Sequence, residues 1–372
     1  MTRADSSDVR IALCSPYGLS RVSGVSQFVV DLRKALMTSN HEAETFAPED
    51  VPLIHKLPSG FANIVLAVAT LRRIALSRKS WTAIHGNQPH LQTVASLVAA
   101  RVKGARSVVT IHSPFPPAAN WRSSFAQVAA FRLLARYADQ IVYVSEATKN
   151  DYGRGRGRVI RIGFDPGLVP SGFTVEPRSR TVFVALFSGR QTRIKGFFDL
   201  LDAIGEIASE RGPSAIRLIL IGDVRPEEAA ERRRRIVLLG PIVEDRGFVA
   251  DRAAVLQSFG EADVLVLPSY REGLPLVLLE AMAAGCVPIV SDVGGVKEVV
   301  ENHRTGLIIP AGDIRALKQQ IEWAMNHPNE LQMMASAAQL VVKEKFTFLR
   351  TVEEYIDLYR ETVDPETVHK AA

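Results

Sequence analysis

The sequence predicts an α/β protein built from two doubly wound parallel-sheet domains. Three observations predict it. The chain has 372 residues, and at roughly 150 residues per domain that length suits two domains or slightly more. Short β-branched apolar runs alternate with longer segments of helical period. The alternation pauses near residue 171 and then restarts. Strand–helix alternation is the grammar of right-handed βαβ units, whose sheet is covered by helices on both faces.

In the first half, Val9–Cys14 (VRIALC) reads as a buried strand and Gly24–Met37 as the helix that follows it. Trp81–His85, Ser107–His112 and Gln140–Val144 continue as strands, separated by the helices Leu91–Val102 and Phe125–Tyr137. The run GRGRGR at 153–158 lacks the preceding strand and following helix of a dinucleotide fingerprint and reads as a basic loop. Val169–Arg180, with two prolines, a glycine and no period, is a linker. Beyond it come the strands Thr181–Phe187, Leu218–Ile221, Ile236–Leu239, Val264–Leu267, Val287–Val290 and Leu307–Ile309. Their helices are Phe197–Glu210, Ala253–Phe259, Leu276–Ala284 and Ile314–Met325. The expected domains are therefore 1–170 and 171–346, with a closing segment 347–372 in which Thr347–Glu361 is helical by spacing. Ligands of open α/β sheets bind beyond the carboxyl ends of the strands, so two such domains predict a cleft there.

Composition narrows the class. With 47% hydrophobic and 23% charged residues, a disordered, collagen-like or mucin-like chain is excluded. The longest mostly apolar stretch, Ala62–Leu71, is about ten residues, too short to cross a bilayer. Asp5 and Asp8 precede the first apolar run, which does not read as a signal peptide. Cys14 and Cys286 are far apart and lack metal-ligand spacing, so the expectation is a reduced, cytoplasmic protein without a cysteine metal site. Charge is uneven: residues 1–170 hold 21 Lys and Arg against 11 Asp and Glu, the remainder 24 against 29. The front half therefore meets an anionic partner, or simply carries a solvated basic surface. Ala62–Trp81, ending in Arg72, Arg73, Arg78 and Lys79, fits two roles: resting on an anionic membrane surface, or forming a core-facing helix with a basic end. Phe115, Trp121, Phe125 and Phe131 interleave with Arg122, Arg132 and Arg136 in the same way. The basic residues form no nucleic-acid-binding motif, and no nucleic-acid partner is expected.

Two segments carry chemistry. In Pro268–Gly285 (PSYREGLPLVLLEAMAAG), Glu272 lies in the loop after a strand and Pro275 suits the first turn of a helix. Glu280 then falls on that helix among Val277, Leu278, Leu279, Ala281 and Met282. Burying a carboxylate without donors costs on the order of several kcal/mol. The donors are a basic side chain, backbone amides, or the vicinal hydroxyls of a ribose-like ligand. The Gly273-Leu274-Pro275 turn and the helix N-terminus add partial positive charge suited to phosphate. In Ser188–Gly196 (SGRQTRIKG), Arg190 and Lys195 flank a strand-to-helix turn and can converge on one point, with Arg193 as a third candidate. Two such cations would neutralise a diphosphate without a metal ion.

The frame S-x-x-E-G-x-P-x-x-x-x-E-A around Glu272 and Glu280 resembles the signature of retaining glycosyltransferase family 4. Ser188-Gly189-Arg190 with Lys195-Gly196, Ser291-Asp292-Val293-Gly294-Gly295, Thr305-Gly306-Leu307 and Val109-Thr110-Ile111-His112 resemble further family segments in the family's order. The resemblance implies the GT-B fold, two facing Rossmann-like domains with an interdomain cleft. It implies retaining transfer of a hexose from a nucleotide-diphosphate sugar to a glycan or lipid-linked acceptor, in cell-surface polysaccharide or glycolipid synthesis, with no metal or other cofactor. By resemblance, Glu280 holds the ribose, and Glu272 with Gly273, Leu274 and Pro275 holds the donor sugar. Gly189, Arg190 and Lys195 hold the diphosphate, Gly24 offers its amide to a phosphate, and His112 faces the reacting carbon. His85, His90 and Ser113 fall to structure or to the acceptor side. The chain departs from the family pattern at Ser23 before Gly24, at Ser113 after the histidine and at Gly163-Phe164-Asp165, mainly on the acceptor side. A nucleotide-sugar epimerase and a non-catalytic nucleotide-sugar-binding protein remain as alternatives. The expected location is the cytoplasm, with peripheral contact at the inner membrane face left open.

Overall fold

The structure, a computed structural model, describes residues 8–19, 23–114, 121–153, 155–169 and 182–361, apart from the side chains of 121–124. The linker expected at 169–180 falls almost wholly outside the described residues, as do Phe115 and the side chains of Trp121 and Arg122. The chain divides into two compact units, one of residues up to Ile162 with those from Leu349 on, the other Gly163–Phe348.

The first unit runs β1 (Arg10–Cys14), α1 (Gly24–Thr38), β2 (Glu42–Phe46), α2 (Ser59–Ala75), β3 (Ala83–Asn87), α3 (Leu91–Lys103), β4 (Arg106–Ile111), α4 (Trp121–Tyr137), β5 (Gln140–Tyr143), α5 (Glu146–Asp151) and β6 (Arg158–Val159). Its six strands are all parallel in the order β2-β1-β3-β4-β5-β6. Right-handed crossovers in that order put α1 on one face and α2, α3 and α4 on the other. Ile84 accordingly packs with Ile74, Ala99 and Ala100 on the α2–α3 side, while its neighbour His85 meets Phe28 of α1 on the opposite side.

The second unit runs β7 (Phe183–Ser188), α6 (Phe197–Arg211), β8 (Ile216–Ile221), α7 (Ala229–Leu239), β9 (Val243–Gly247), α8 (Arg252–Glu261), β10 (Val264–Leu267), α9 (Leu276–Ala283), β11 (Val287–Ser291), β12 (Leu307–Ile309), α10 (Ile314–Asn326) and α11 (Pro328–Lys345). Its parallel order is β12-β11-β10-β7-β8-β9. α12 (Phe348–Arg360) then rejoins the first unit from Leu349 on. Helix starts follow capping chemistry: Ser23, Ser145, Asp251 and Asp313 accept from backbone amides at the N-termini of α1, α5, α8 and α10.

One expected strand is corrected. Ile236–Leu239 forms the last turn of α7, and the strand is Val243–Gly247, a polar edge strand without a buried run. Four apolar residues fit a helix end as well as a strand, and only the ERRRR turn before them separates the two. β2 (EAETF) was hidden for the same reason as β9: at the edge of its sheet it buries only Phe46.

α12 is bound to the first sheet by buried polar contacts. His85 is fully buried, with Nδ1 hydrogen-bonded to the Tyr359 hydroxyl at 2.7 Å and Nε2 to the Thr110 hydroxyl at 2.7 Å. Thr110 Oγ1 also meets the Tyr355 hydroxyl at 2.8 Å, and Arg106 donates to the Leu358 carbonyl at 2.7 Å. Both ring nitrogens of His85 are hydrogen-bonded inside the unit, the geometry of the structural rather than the acceptor-side role of the two left open for it. Desolvation pushes the His85 pKa down from 6.5 to about 3, with the nearby His112 adding to the effect. In that interval the unfolded chain binds a proton that the native chain refuses, so stability is full above 6.5 and falls as pH drops towards 3. The denaturant midpoint should therefore decline steadily from pH 7 to acid, by an amount on the order of several kcal/mol in unfolding free energy. His85→Gln should flatten that slope; an unchanged slope would place the acid sensitivity elsewhere.

Candidate active site

In the second unit, three loops at the carboxyl ends of β7, β10 and β11 are laid directly against one another. Gly196 sits at φ +63°, and a Cβ there would stand 1.9 Å from the Pro268 carbonyl oxygen. Tyr270 N–H donates to the Ile194 carbonyl at 2.9 Å, joining the β7 loop to the β10 loop. Gly294, at φ +55°, meets the next junction, where a Cβ would stand 2.0 Å from the Glu272 carbonyl oxygen. Gly295 N–H donates to the Gly273 carbonyl at 2.6 Å. Only glycine tolerates both the left-handed backbone and the approach.

This scaffold presents the expected side chains. Lys195 Nζ lies 2.6 Å from Glu272 Oε1, which also accepts from the Ser269 hydroxyl at 2.7 Å. The Glu272 side chain is only 10% exposed, so its charge depends on these donors. Gly273 and Leu274 are buried beside it, and Pro275 is the N-cap residue of α9. One turn along α9, Glu280 accepts from Arg252 at 3.0 Å; Arg252 opens α8. Of the donors the sequence left open for Glu280, the structure shows a basic side chain. Arg190 is exposed after β7 and has no carboxylate partner among the described residues, and Gly189 precedes it at φ +149°. Arg193 is occupied: it pairs with Glu231 of α7 and stacks over Phe198.

In the first unit, β1, β3 and β4 are neighbours, and their carboxyl ends bring Cys14, Asn87 and His112 together. Asn87 is fully buried; its Nδ2 donates to the Cys14 carbonyl at 3.0 Å, so its Oδ1 faces His112 Nε2 at 2.8 Å. A carbonyl-type oxygen only accepts, so Nε2 carries the proton and Nδ1 keeps its lone pair. The ring packs edge-on against Phe28 with centroids 4.9 Å apart, and desolvation holds its pKa well below 6.5. His112 is thus a neutral base with one fixed tautomer. Ser113 is exposed and accepts from Gln88 at 2.7 Å; Gln88 holds a left-handed backbone at φ +65°, a strain of the kind that collects at functional positions. Gly24 is exposed at the first turn of α1. Sequence reading missed Asn87, Arg252 and Ser269 as site residues. Asn87 lies two residues beyond the strand read from the sequence, and the partner of Arg252 is 28 residues away, so neither carried a local signal.

Two family models match the chain. Residues 174–341 match "Glycosyl transferases group 1" and residues 22–167 match "Glycosyltransferase Family 4". A GDP-mannose-dependent alpha-mannosyltransferase of Mycobacterium tuberculosis is 27% identical over 82% of this chain and 85% of its own length. A capsular polysaccharide biosynthesis glycosyltransferase, CapM, of Staphylococcus aureus is 28% identical over 48% of this chain and 46% of its own. Among solved structures, sucrose-phosphate synthase from Thermosynechococcus elongatus superposes with a TM-score of 0.79 at 23% identity, covering 95% of this chain and 98% of that one. HepE of Anabaena in complex with UDP gives 0.73 at 20% identity, covering 94% and 99%. The fold is GT-B.

The Asn87 contact makes a prediction readable by nitrogen-15 NMR. His112 should show the Nε2–H tautomer and remain neutral at physiological pH. Asn87→Asp, which sets a carboxylate beside the ring, should raise its pKa by roughly 1–3 units; an unmoved pKa would remove Asn87 from the role of orienting partner.

Proposed function

The chain belongs to the group 1 glycosyl transferases of family 4, and we propose that it transfers a hexose, with retention of anomeric configuration, from a nucleotide-diphosphate sugar to a glycan or lipid-linked acceptor. The observation that carries the reading is the Lys195–Glu272–Ser269 cluster beside the start of α9, with Arg190 exposed at the end of the neighbouring strand and without a carboxylate partner among the described residues. In this reading the diphosphate takes Arg190 and Lys195, which frees the Glu272 carboxylate to accept from sugar hydroxyls. Glu280 exchanges its contact with Arg252 for the vicinal hydroxyls of the ribose. As the bond between the anomeric carbon and the diphosphate oxygen breaks, the two cations stabilise the charge growing on the leaving group. The acceptor oxygen forms the new bond on the same face of the sugar, and its proton passes to a phosphate oxygen of the departing nucleotide. The reading assigns the leaving-group charge to protein cations alone and calls for no metal.

Neutral His112, with the lone pair on Nδ1, is suited to accept a hydrogen bond from a sugar hydroxyl near the reacting carbon. An imidazolium there would oppose the positive charge that develops on the sugar. The relatives named for GDP-mannose-dependent transfer and for capsular polysaccharide biosynthesis support a hexose donor and a cell-surface product. We place the reaction in the cytoplasm.

The anomeric configuration of the product, read by proton NMR, tests the stereochemistry, and an inverted linkage overturns it. Arg190→Ala and Lys195→Ala should each lower kcat by about 100- to 1,000-fold. Glu280→Gln should weaken donor uptake in calorimetry while leaving the fold intact. Near-normal turnover in both cation variants would remove the leaving-group assignment.

A further inference from the structure

We propose that the outer surface of the α2–α3–α4 layer docks the protein on an anionic lipid bilayer. The 88 residues from Val51 to Ala138 contain 11 Lys and Arg and not one Asp or Glu. This stretch supplies α2, β3, α3, β4 and α4, and therefore all the helices on one face of the first sheet between β2 and β5. The three helices form a continuous layer: Lys103 of α3 donates to the Ser77 carbonyl just past α2 at 2.7 Å, and Arg101 to the Tyr137 carbonyl ending α4 at 2.8 Å.

The outer surface of that layer is apolar, and its own helices carry no acid. Along α2 and at its C-cap, Phe61, Ile64, Val68 and Leu76 are 56%, 51%, 58% and 72% exposed. Their spacing sets them on one stripe, and with Val65 and Arg72 they line a shallow groove of about 560 Å³. Val98 and Val102 of α3 and Leu133 of α4 are exposed beside them. Arg72, Arg78, Arg132 and Arg136 are exposed and have no carboxylate partner among the described residues. Arg73 and Lys79 differ, being held by Glu44 and Asp50.

Aliphatic side chains ringed by exposed arginines match a bilayer interface, where acyl chains take the first and anionic headgroups the second. Long arginine side chains reach the headgroups while their stems lie along apolar surface. A nucleic acid would satisfy the cations and leave Ile64, Val68 and Val98 in water. A second copy docked face to face would set two predominantly basic surfaces against each other. No described helix is long and apolar enough to cross a membrane, so contact lies in the plane of the interface. This inference does not rest on the donor reading.

Flotation of the full chain with phosphatidylcholine vesicles, with and without phosphatidylglycerol, at low and high salt tests it. The protein should float only with the anionic vesicles and should be partly released by salt. Arg72→Glu with Arg78→Glu should reduce partitioning by at least about 20-fold, and Val68→Glu should also reduce it. Nucleotide-sugar uptake by calorimetry should be unchanged in these variants, which separates failure here from failure of the donor reading or of folding. Absence of binding to anionic vesicles at low salt overturns the proposal, as does binding unaffected by both substitutions. A concentration-dependent dimer dissociated by Val68→Glu, or duplex DNA competing fully with the vesicles, overturns it in favour of those partners.

Discussion

The candidate site depends on backbone packed against backbone. Where Gly196 meets the Pro268 carbonyl and Gly294 meets that of Glu272, a single methyl group would drive the loops apart. With the Tyr270–Ile194 and Gly295–Gly273 hydrogen bonds, these contacts make three loops from separate strands behave as one rigid platform. The ion pair of Lys195 with Glu272 is a product of that platform. A lysine from one strand end and a glutamate from another stay within 2.6 Å because the main chains carrying them are already fixed. Such preorganisation keeps the cost of ordering out of the binding step.

The first unit reaches a similar end by a different route. Its histidine is oriented by a buried amide, which is itself pinned by a strand-terminal carbonyl. The relay fixes a tautomer rather than a charge. The two regions are therefore arranged differently: carboxylates paired with basic side chains around Glu272 and Glu280, a desolvated imidazole at His112. In the proposed reaction the leaving group accumulates negative charge while the sugar carbon becomes positive.

Much of this was legible in the sequence, for identifiable reasons. Central strands such as Val264–Leu267 are buried on both faces and read as unbroken apolar runs. Edge strands are not, which is why β2 and β9 were missed and why Ile236–Leu239, at the end of α7, was taken for a strand. Glu272 and Glu280 stood out because carboxylates beside a glycine turn and an apolar helix break the local pattern. Their partners were harder. Lys195 was visible as a cation at a strand end, yet its pairing with a residue 77 positions away belongs to the fold. Arg252 has no local peculiarity at all. His85 and His112 look alike in sequence, each closing an apolar run. Two residues of register separate them: β3 continues to Asn87 and encloses His85, whereas β4 stops at Ile111 and releases His112.

The return of α12 to the first unit affects how the polypeptide matures on the ribosome. The pocket around His85 is closed by Tyr355 and Tyr359, side chains translated some 270 residues after the strand they cover. Gly163–Phe348, by contrast, is an uninterrupted stretch of chain. The downstream unit can therefore complete its core during elongation, while the upstream sheet stays open along its α1 face until the last helix emerges. The sheet of the first unit is thus sealed only once α12 is made, and a nascent chain stalled before residue 348 would leave Phe28 and His85 without their Tyr355 and Tyr359 cover.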